Sequence, residues 1–553
     1  MSRLYWKAAV RWIPPTSSFG KAAHVPRTVR QILKTPLLNR AGFFWVHVTF
    51  SSSPSWNSLL KVSKLRFSWP PFQGCGILPS NPKIVMPRLV TLPLLLLLQA
   101  VCPLLAQQTP KKPNIIYILA DDLGYGDLGC YGQEIIKTPN LDRMAAEGLR
   151  FTQHYSGSTV CAPSRSCLLE GKHTGHTYVR GNGQLQMRRD PHDPIFPAAL
   201  QKVGYHTALI GKSGLGCNTD DSALVLDKGF DSFFGYTSHT NAHFYYPKYL
   251  WRNTEKVAYP NNTLHEGDHY SSSVVTAEAL TYIEKQKDGP FFLHLALQVP
   301  HASLRAKEEW KEKYRPILKE KLLPEREKHP HYSYEREPKT TFAAMISYMD
   351  HNVGLLLKKL NELGIAENTL VIFSSDNGAM AEGGHQRGSF NSSGPLRGGK
   401  RDLYEGGVRV PTIAWWPGQI KSGRSTDHPS AFWDISPTVR ELSGAEVQAD
   451  TDGLSLVPTL LGKGEQKKHD YLYWEFFEGG GKRSILKGDW KLILYNTNKD
   501  ANPRAELYNI KEDLAEKKNL AEKNSGKVAE LITLMDTART PSENRSFKLK
   551  SEK

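Results

Sequence analysis

Five short apolar runs frame this chain: Asn114 to Ala120, His206 to Gly211, Phe291 to Val299, Thr369 to Ser375 and Val410 to Trp416. Their length and near-continuous apolar character suit parallel strands buried on both faces. Segments with helical spacing lie between them, so the pattern predicts an α/β sheet covered by helices. Four of the runs end in chemically able residues: Asp121-Asp122, Lys212, His301 and Asp376-Asn377. Ligands of open α/β sheets bind beyond the carboxyl ends of the strands, so one site is expected to gather these residues. A helix is predicted from Thr341 to about Leu363, where Ala344, Met345, Tyr348, Val353, Leu356 and Leu360 approximate the helical repeat before Gly364 stops it. Past about position 460 the character changes. Tyr471 to Phe477, Arg483 to Leu486, Trp490 to Tyr495 and Glu506 to Tyr508 read as short antiparallel strands, with a closing helix over Val528 to Met535.

Before position 90 no helix or strand period is sustained. The 553 residues are 39% hydrophobic and 23% charged, ordinary for a soluble enzyme of more than one domain. A net charge of +16 suggests a nucleic-acid partner until it is located. Residues 1–106 hold 13 Lys/Arg and no acid, which leaves 58 basic against 55 acidic residues for the rest of the chain. That remainder is nearly neutral, and no nucleic acid is expected. Within the basic stretch, Met86-Pro87-Arg88 precedes an apolar run from Leu89 to Leu105 and the small residue Ala106, the order of a secretory signal peptide. The reading is therefore a signal at 86–106, a secreted or periplasmic protein without a stable membrane span, and residues 1–85 as a mis-assigned or unstructured basic extension. A basic targeting segment is the second reading. Beyond the signal only Cys130, Cys161, Cys167 and Cys217 remain, too few for a disulfide framework. Residues 302–340, crowded with Lys, Glu, Arg and Pro, predict a solvated surface excursion.

Asp121 and Asp122 can face one cation only if the chain turns after the strand, as the following Leu-Gly-Tyr-Gly allows. With Asp376 and Asn377 they offer an all-oxygen ligand set, suited to calcium or magnesium and not to zinc. Either pair alone reads more readily as an ordinary turn. The segment Cys161-Ala162-Pro163-Ser164-Arg165-Ser166-Cys167-Leu168-Leu169-Glu170-Gly171 resembles the C-x-P-S-R-x-x-L-x-T-G signature of the type I sulfatases, with Glu170 where the family usually has Thr. The resemblance extends over residues 113–540. It implies an alkaline-phosphatase-like α/β domain over 113–460 with a smaller antiparallel C-terminal subdomain over 461–545. It also implies hydrolysis of sulfate esters, in the manner of arylsulfatases or N-acetylgalactosamine sulfatases, with sulfated saccharides as substrates.

In that family a maturation enzyme oxidises the signature cysteine, here Cys161, to formylglycine, whose hydrated aldehyde attacks sulfur. The metal, usually calcium, would be held by Asp121, Asp122, Asp376, Asn377 and the modified Cys161. Arg165 would hold the modified side chain if the loop enters a helix, since residues four apart share a face. Lys212 resembles one sulfate-binding lysine. Lys400, in Gly394-Pro395-Leu396-Arg397-Gly398-Gly399-Lys400, resembles the other. His301, in Val299-Pro300-His301, corresponds to the histidine near the leaving-group oxygen, with Ser303 replacing a common Pro. One departure stands out: Gly211-Lys212-Ser213-Gly214-Leu215-Gly216 lacks the histidine that usually assists sulfate release, at Gly214. The segment from Ser238 to Pro247 supplies two candidates, His243 first and His239 second. Its Tyr245 and Tyr246, with Trp251, suit either internal stacking or a sugar-binding wall. Two other functions remain open: a phosphate-ester hydrolase on the same scaffold, against which the Cys161 signature argues, and a catalytically silent binder of sulfated glycans, which Gly214 makes plausible.

Overall fold

The computed structural model describes residues 111–553 apart from 184–185, 190–191, 216–220, 326–331, 333 and 501, together with the backbone of 32–39, 42–51 and 61–68. The chain divides into Met1–Gln107 and Gln108–Lys553. In the first unit the strands Ile32–Asn39, Gly42–Ser51 and Lys61–Ser68 pair antiparallel in that order. The sequence reading expects no element there, and these strands correct it: Val46-His47-Val48-Thr49-Phe50-Ser51 and Lys64-Leu65-Arg66-Phe67-Ser68 do alternate, over runs too short to stand out in a basic, acid-free stretch. The signal segment at 86–106 lies outside the described residues, as does Cys217.

The second unit is built on a ten-stranded sheet, in the order Glu255–Ala258, Tyr249–Arg252, Ser232–Tyr236, His206–Lys212, Phe291–Pro300, Asn114–Asp121, Thr369–Ser375, Thr412–Trp415, Leu149–Phe151 and Arg424–Thr426. The five from Ser232–Tyr236 to Thr369–Ser375 are mutually parallel. Thr412–Trp415 runs antiparallel to its neighbour Thr369–Ser375, which corrects the expectation of a fifth parallel run from Val410 to Trp416. Its near-continuous apolar character reports burial on both faces, and burial does not encode direction.

Asn114–Asp121 lies at the centre and is buried along its whole length. Ile116, Ile118 and Ala120 pack into one helical layer with Met345 and Met349, from the helix Pro338–Glu362. Ile115, Tyr117 and Leu119 pack into the other with Leu168, Leu169 and Val439. Burial of each such side chain contributes about 1.5–3 kcal/mol, so the central strand is held from both sides. Among its described residues the 302–340 stretch holds the short helices Glu308–Lys311 and Arg315–Leu318, fastened by pairs such as Arg315 with Glu337 at 2.8 Å. Among the described residues no helix is long and apolar enough to cross a membrane.

The C-terminal sheet has the order Leu472–Phe476, Lys482–Lys487, Trp490–Tyr495, Arg504–Asn509, all antiparallel. One face receives Leu531 and Met535 of the helix Ser525–Thr537. The other packs Trp474, Phe476 and Ile493 against Tyr155, Val408 and Trp433 of the larger body.

Candidate active site

Asp121 is the last residue of the central strand, and Asp122 follows with φ 70°. That left-handed turn breaks the strand alternation, so both carboxylates enter one buried cluster. Asp122 N donates to Asp376 Oδ1 at 3.1 Å, and Asn377 Nδ2 donates to Asp122 Oδ1 at 2.8 Å. The four carboxylate and amide residues expected to hold a metal are therefore together.

Cys161 opens the ten-residue helix Cys161–Glu170, every residue of which is buried. Pro163 sits in its first turn, where a missing N–H costs nothing. Asn182 Oδ1 accepts from Ala162 N at 3.1 Å and satisfies one of the free donors of that turn. Gly171, at φ 69°, ends the helix by donating to Cys167 O. Burial pushes the Cys161 thiol up to about 12, although Lys212 opposes the rise. The residue is thus a neutral thiol at neutral pH and a poor nucleophile as encoded. Cys130 and Cys167 are also free thiols.

Arg165, one helical turn past Cys161, is fully buried. Its Nη2 lies 2.8 Å from Asp376 Oδ2 and 3.6 Å from Asp121 Oδ1, and its Nη1 donates to Lys212 O at 3.0 Å. Lys212 Nζ donates to Asp121 Oδ2 at 2.6 Å. Lys400 Nζ lies 2.7 Å from Asp122 Oδ2, 2.9 Å from Glu382 Oε2 and 3.2 Å from His301 Nε2. His301 Nδ1 faces the Ala302 carbonyl, so the ring donates there and its Nε2 lone pair meets the lysine. Burial and the Lys400 charge lower His301 to about 3, which keeps it neutral. Asp376 is raised to about 7 by burial and by Asp121. For Asp121, burial raises the carboxyl but the charges of Lys212 and Arg165 outweigh it and hold it well below the usual carboxylate range.

Glu382 is a member of the site that the sequence reading missed. It pairs with Lys400 and with Arg401. An acid six residues past Asp376 in a Gly-rich loop carries no motif, so only the fold reveals it.

Donor atoms of Asp121, Asp122, Cys161 and His301 all lie within 4.8 Å of one another. Asp121 Oδ1 and Asn377 Oδ1 are buried without a hydrogen-bond partner, the state expected of oxygens meant for a cation. Four cations, Arg165, Lys212, Lys400 and Arg401, face four carboxylates, Asp121, Asp122, Asp376 and Glu382. A divalent ion would make that balance net positive, as capture of an anionic sulfate ester requires.

A cleft of about 170 Å³ reaches this cluster, lined by Cys161, Asn182, His239, His243, His301, Tyr332, Lys400 and Arg401 among others. Both candidate histidines thus open on it. His243 stacks on His301, with centroids 4.7 Å apart and planes at 11°, and on Tyr332 at 5.0 Å. Tyr245 is fully buried and its hydroxyl donates to Gln298 O and His301 O, so it belongs to the packing and not to a sugar-binding wall. Gly214 adopts φ 71°, and a Cβ there would lie 2.3 Å from Arg165 Cδ. Any side chain at that position conflicts with Arg165 as it is placed.

Residues 113–445 match the sulfatase family model, and residues 398–539 match the model of the N-sulphoglucosamine sulphohydrolase C-terminal region. The chain belongs to the sulfatase family. This sulfatase is 34% identical to mouse N-acetylgalactosamine-6-sulfatase over 427 residues, 72% of this chain and 75% of that protein. It is 32% identical to human arylsulfatase D, over 69% of this chain and 74% of that protein. Its fold matches the crystal structure of Ps i-CgsB in complex with k-i-k-neocarrahexaose with a TM-score of 0.65 and 27% identity, covering 77% of this chain and 92% of that one. The sulfatase is an enzyme of sulfate-ester hydrolysis on a mostly parallel sheet with a separate small antiparallel sheet.

Proposed function

We propose that this sulfatase removes sulfate from sulfated saccharides outside the cytoplasm, after a maturation enzyme has converted Cys161 to formylglycine. The observation that carries the reading is the convergence of Cys161 with Asp121, Asp122 and His301 on one buried point, beside oxygens that lack partners. The neutral, buried Cys161 thiol supports the need for modification, since unmodified it would not attack an ester at neutral pH. The saccharide class is supported by the N-acetylgalactosamine-6-sulfatase relative and by the neocarrahexaose bound in the Ps i-CgsB structure. Export is supported by the signal-like order of residues 86–106.

Asp121, Asp122, Asp376 and Asn377 would hold one calcium ion, with magnesium as the alternative. Once bound, the ion supplies positive charge beside the nucleophile and a sulfate oxygen. Lys212 and Lys400 hold the other sulfate oxygens, each oriented by an aspartate, at 2.6 and 2.7 Å. Arg165 keeps the start of its helix against Asp376 and Lys212. On the leaving-group side, Lys400 and the His301 Nε2 it meets form the proton path to the departing alkoxide. His243 and His239 stand in reserve for the step that Gly214 cannot serve.

The test is Cys161→Ala. It should abolish aryl sulfate turnover with melting temperature unchanged, and intact-peptide mass spectrometry of wild type should find Cys161 as formylglycine. Near-wild-type turnover in the variant would end the reading. Preference for aryl phosphate over aryl sulfate would favour a phosphohydrolase instead.

A further inference from the structure

We infer that His239 and His243 divide between the two ends of the reaction, His239 as the proton acceptor for sulfate release and His243 as the positioning residue beneath His301. The inference rests on the sulfatase reading above and reverses the order in which the sequence ranks the two.

His239 belongs to the Lys212 side. The strand Ser232–Tyr236 pairs with His206–Lys212 so that Tyr236 stands opposite Lys212. Beyond the strand ends the two chains stay joined: Ser213 N donates to Tyr236 O at 2.9 Å and Ser213 Oγ to Thr237 O at 3.4 Å. His239, two residues on, therefore rises beside the turn that contains Gly214. Its Nε2 is buried and has no hydrogen-bond partner, and it lines the cleft with Cys161. Burial first, then Lys212 and Arg165, keep the ring neutral at rest, so that its unpartnered Nε2 faces the cleft without a charge. Since Arg165 fills the space a Gly214 side chain would use, the acceptor has to come from a neighbouring strand.

His243 belongs to the other end. Its carbonyl accepts from Ser303 N at 3.0 Å, and Gln298 Nε2 donates to the adjacent Ala242 O at 3.2 Å, so its backbone is fastened to the segment carrying His301. Its ring stacks on His301 and packs against Tyr332, which itself lies 6.4 Å from His301, so the three rings form one cluster. A ring lying nearly parallel against His301 holds its neighbour's plane, and through it the Lys400 contact of His301 Nε2.

In the release step His239 takes the proton of the hydroxyl remaining on the Cys161-derived carbon. The O–H pair becomes the carbonyl bond, the carbon–oxygen bond to sulfate breaks, and its pair leaves with sulfate. Water then adds back to the carbonyl.

The experiment follows an aryl sulfate through a rapid-quench time course and measures the intact mass of the quenched enzyme. His239→Ala should give one equivalent of aryl alcohol at the wild-type rate, then turn over about a hundredfold more slowly, and carry a sulfate adduct throughout. His243→Ala should show no adduct, and its rate should fall most for poor leaving groups. Absence of adduct in His239→Ala, or its build-up in His243→Ala, overturns the assignment; His239→Gln repeats the test if the alanine variant does not fold. Wild-type protein inert toward aryl sulfate would instead overturn the sulfatase reading on which the assignment rests.

Discussion

Glu170 ends the helix that begins at Cys161, buried, held by Ser166 Oγ and without an ion pair among the described residues. Burial lifts its carboxyl to about 7, against the lowering effect of Ser166. A carboxyl whose pKa rises on folding takes up a proton as the protein folds, so its contribution is full below about pH 4.5 and fades as pH climbs to about 7. Glu170→Gln cannot ionise. It should melt with wild type at pH 4.5 and be more stable at pH 8, by on the order of 2–3 kcal/mol; parallel melting curves at the two pH values check this. Gly214 makes the opposite case, a position where restoring the family residue should do harm. Gly214→His requires a left-handed non-glycine backbone, about 1–2 kcal/mol, and displaces Arg165 from Asp376. Turnover of an aryl sulfate should fall at least tenfold, with a lower melting temperature. Both residues were visible in the sequence as departures from a motif. Their physical content was not, because it depends on what lies opposite them in space.

At the scale of elements, the sequence was most legible where the hydrophobic period is long or continuous. The helix Pro338–Glu362 begins three residues before the predicted start, where Pro338 takes the first-turn position that proline favours. The four parallel strands announced by polar residues at their carboxyl ends all carry those residues into one cluster. Direction at Thr412–Trp415 was not legible, for the reason that both faces are buried. Contacts between distant segments were equally hidden. Lys491, on the strand Trp490–Tyr495, has its ammonium fully buried 2.8 Å from Glu405 Oε1 and 3.3 Å from Glu516 Oε1. Removing it leaves buried Glu516 without a cation among the described residues and Glu405 with Arg409 as its remaining ion pair, a loss of about 3–5 kcal/mol. Lys491→Met should therefore lower the melting temperature. It should also raise KM for the sulfate ester more than it lowers kcat, because Glu405 follows Lys400 by one short turn and the lysine's segment loosens; steady-state kinetics beside a melt would separate the two effects.

For the whole molecule, the balance of charge in the cleft makes a prediction about metal. Protein stripped by a chelator loses the net positive charge that would hold a sulfate ester, so turnover should vanish and return with calcium, one ion per chain by elemental analysis. Full activity in protein shown to contain no divalent ion would refute it. A last consequence follows from the way the smaller sheet grips the segment of Lys400. Tyr404 donates to Glu506 Oε2 at 2.6 Å, Arg397 reaches Tyr508 and the Glu516 carbonyl, and Glu405 N donates to Glu516 Oε2 at 2.7 Å. The loop that presents Lys400 to the cleft is thus moulded by residues encoded more than a hundred positions later. In engineering terms the enzyme is not modular. A chain cut near residue 460 should yield a body that leaves Lys400 unmoored, and exchanging the tail between relatives should succeed only when the loop travels with it.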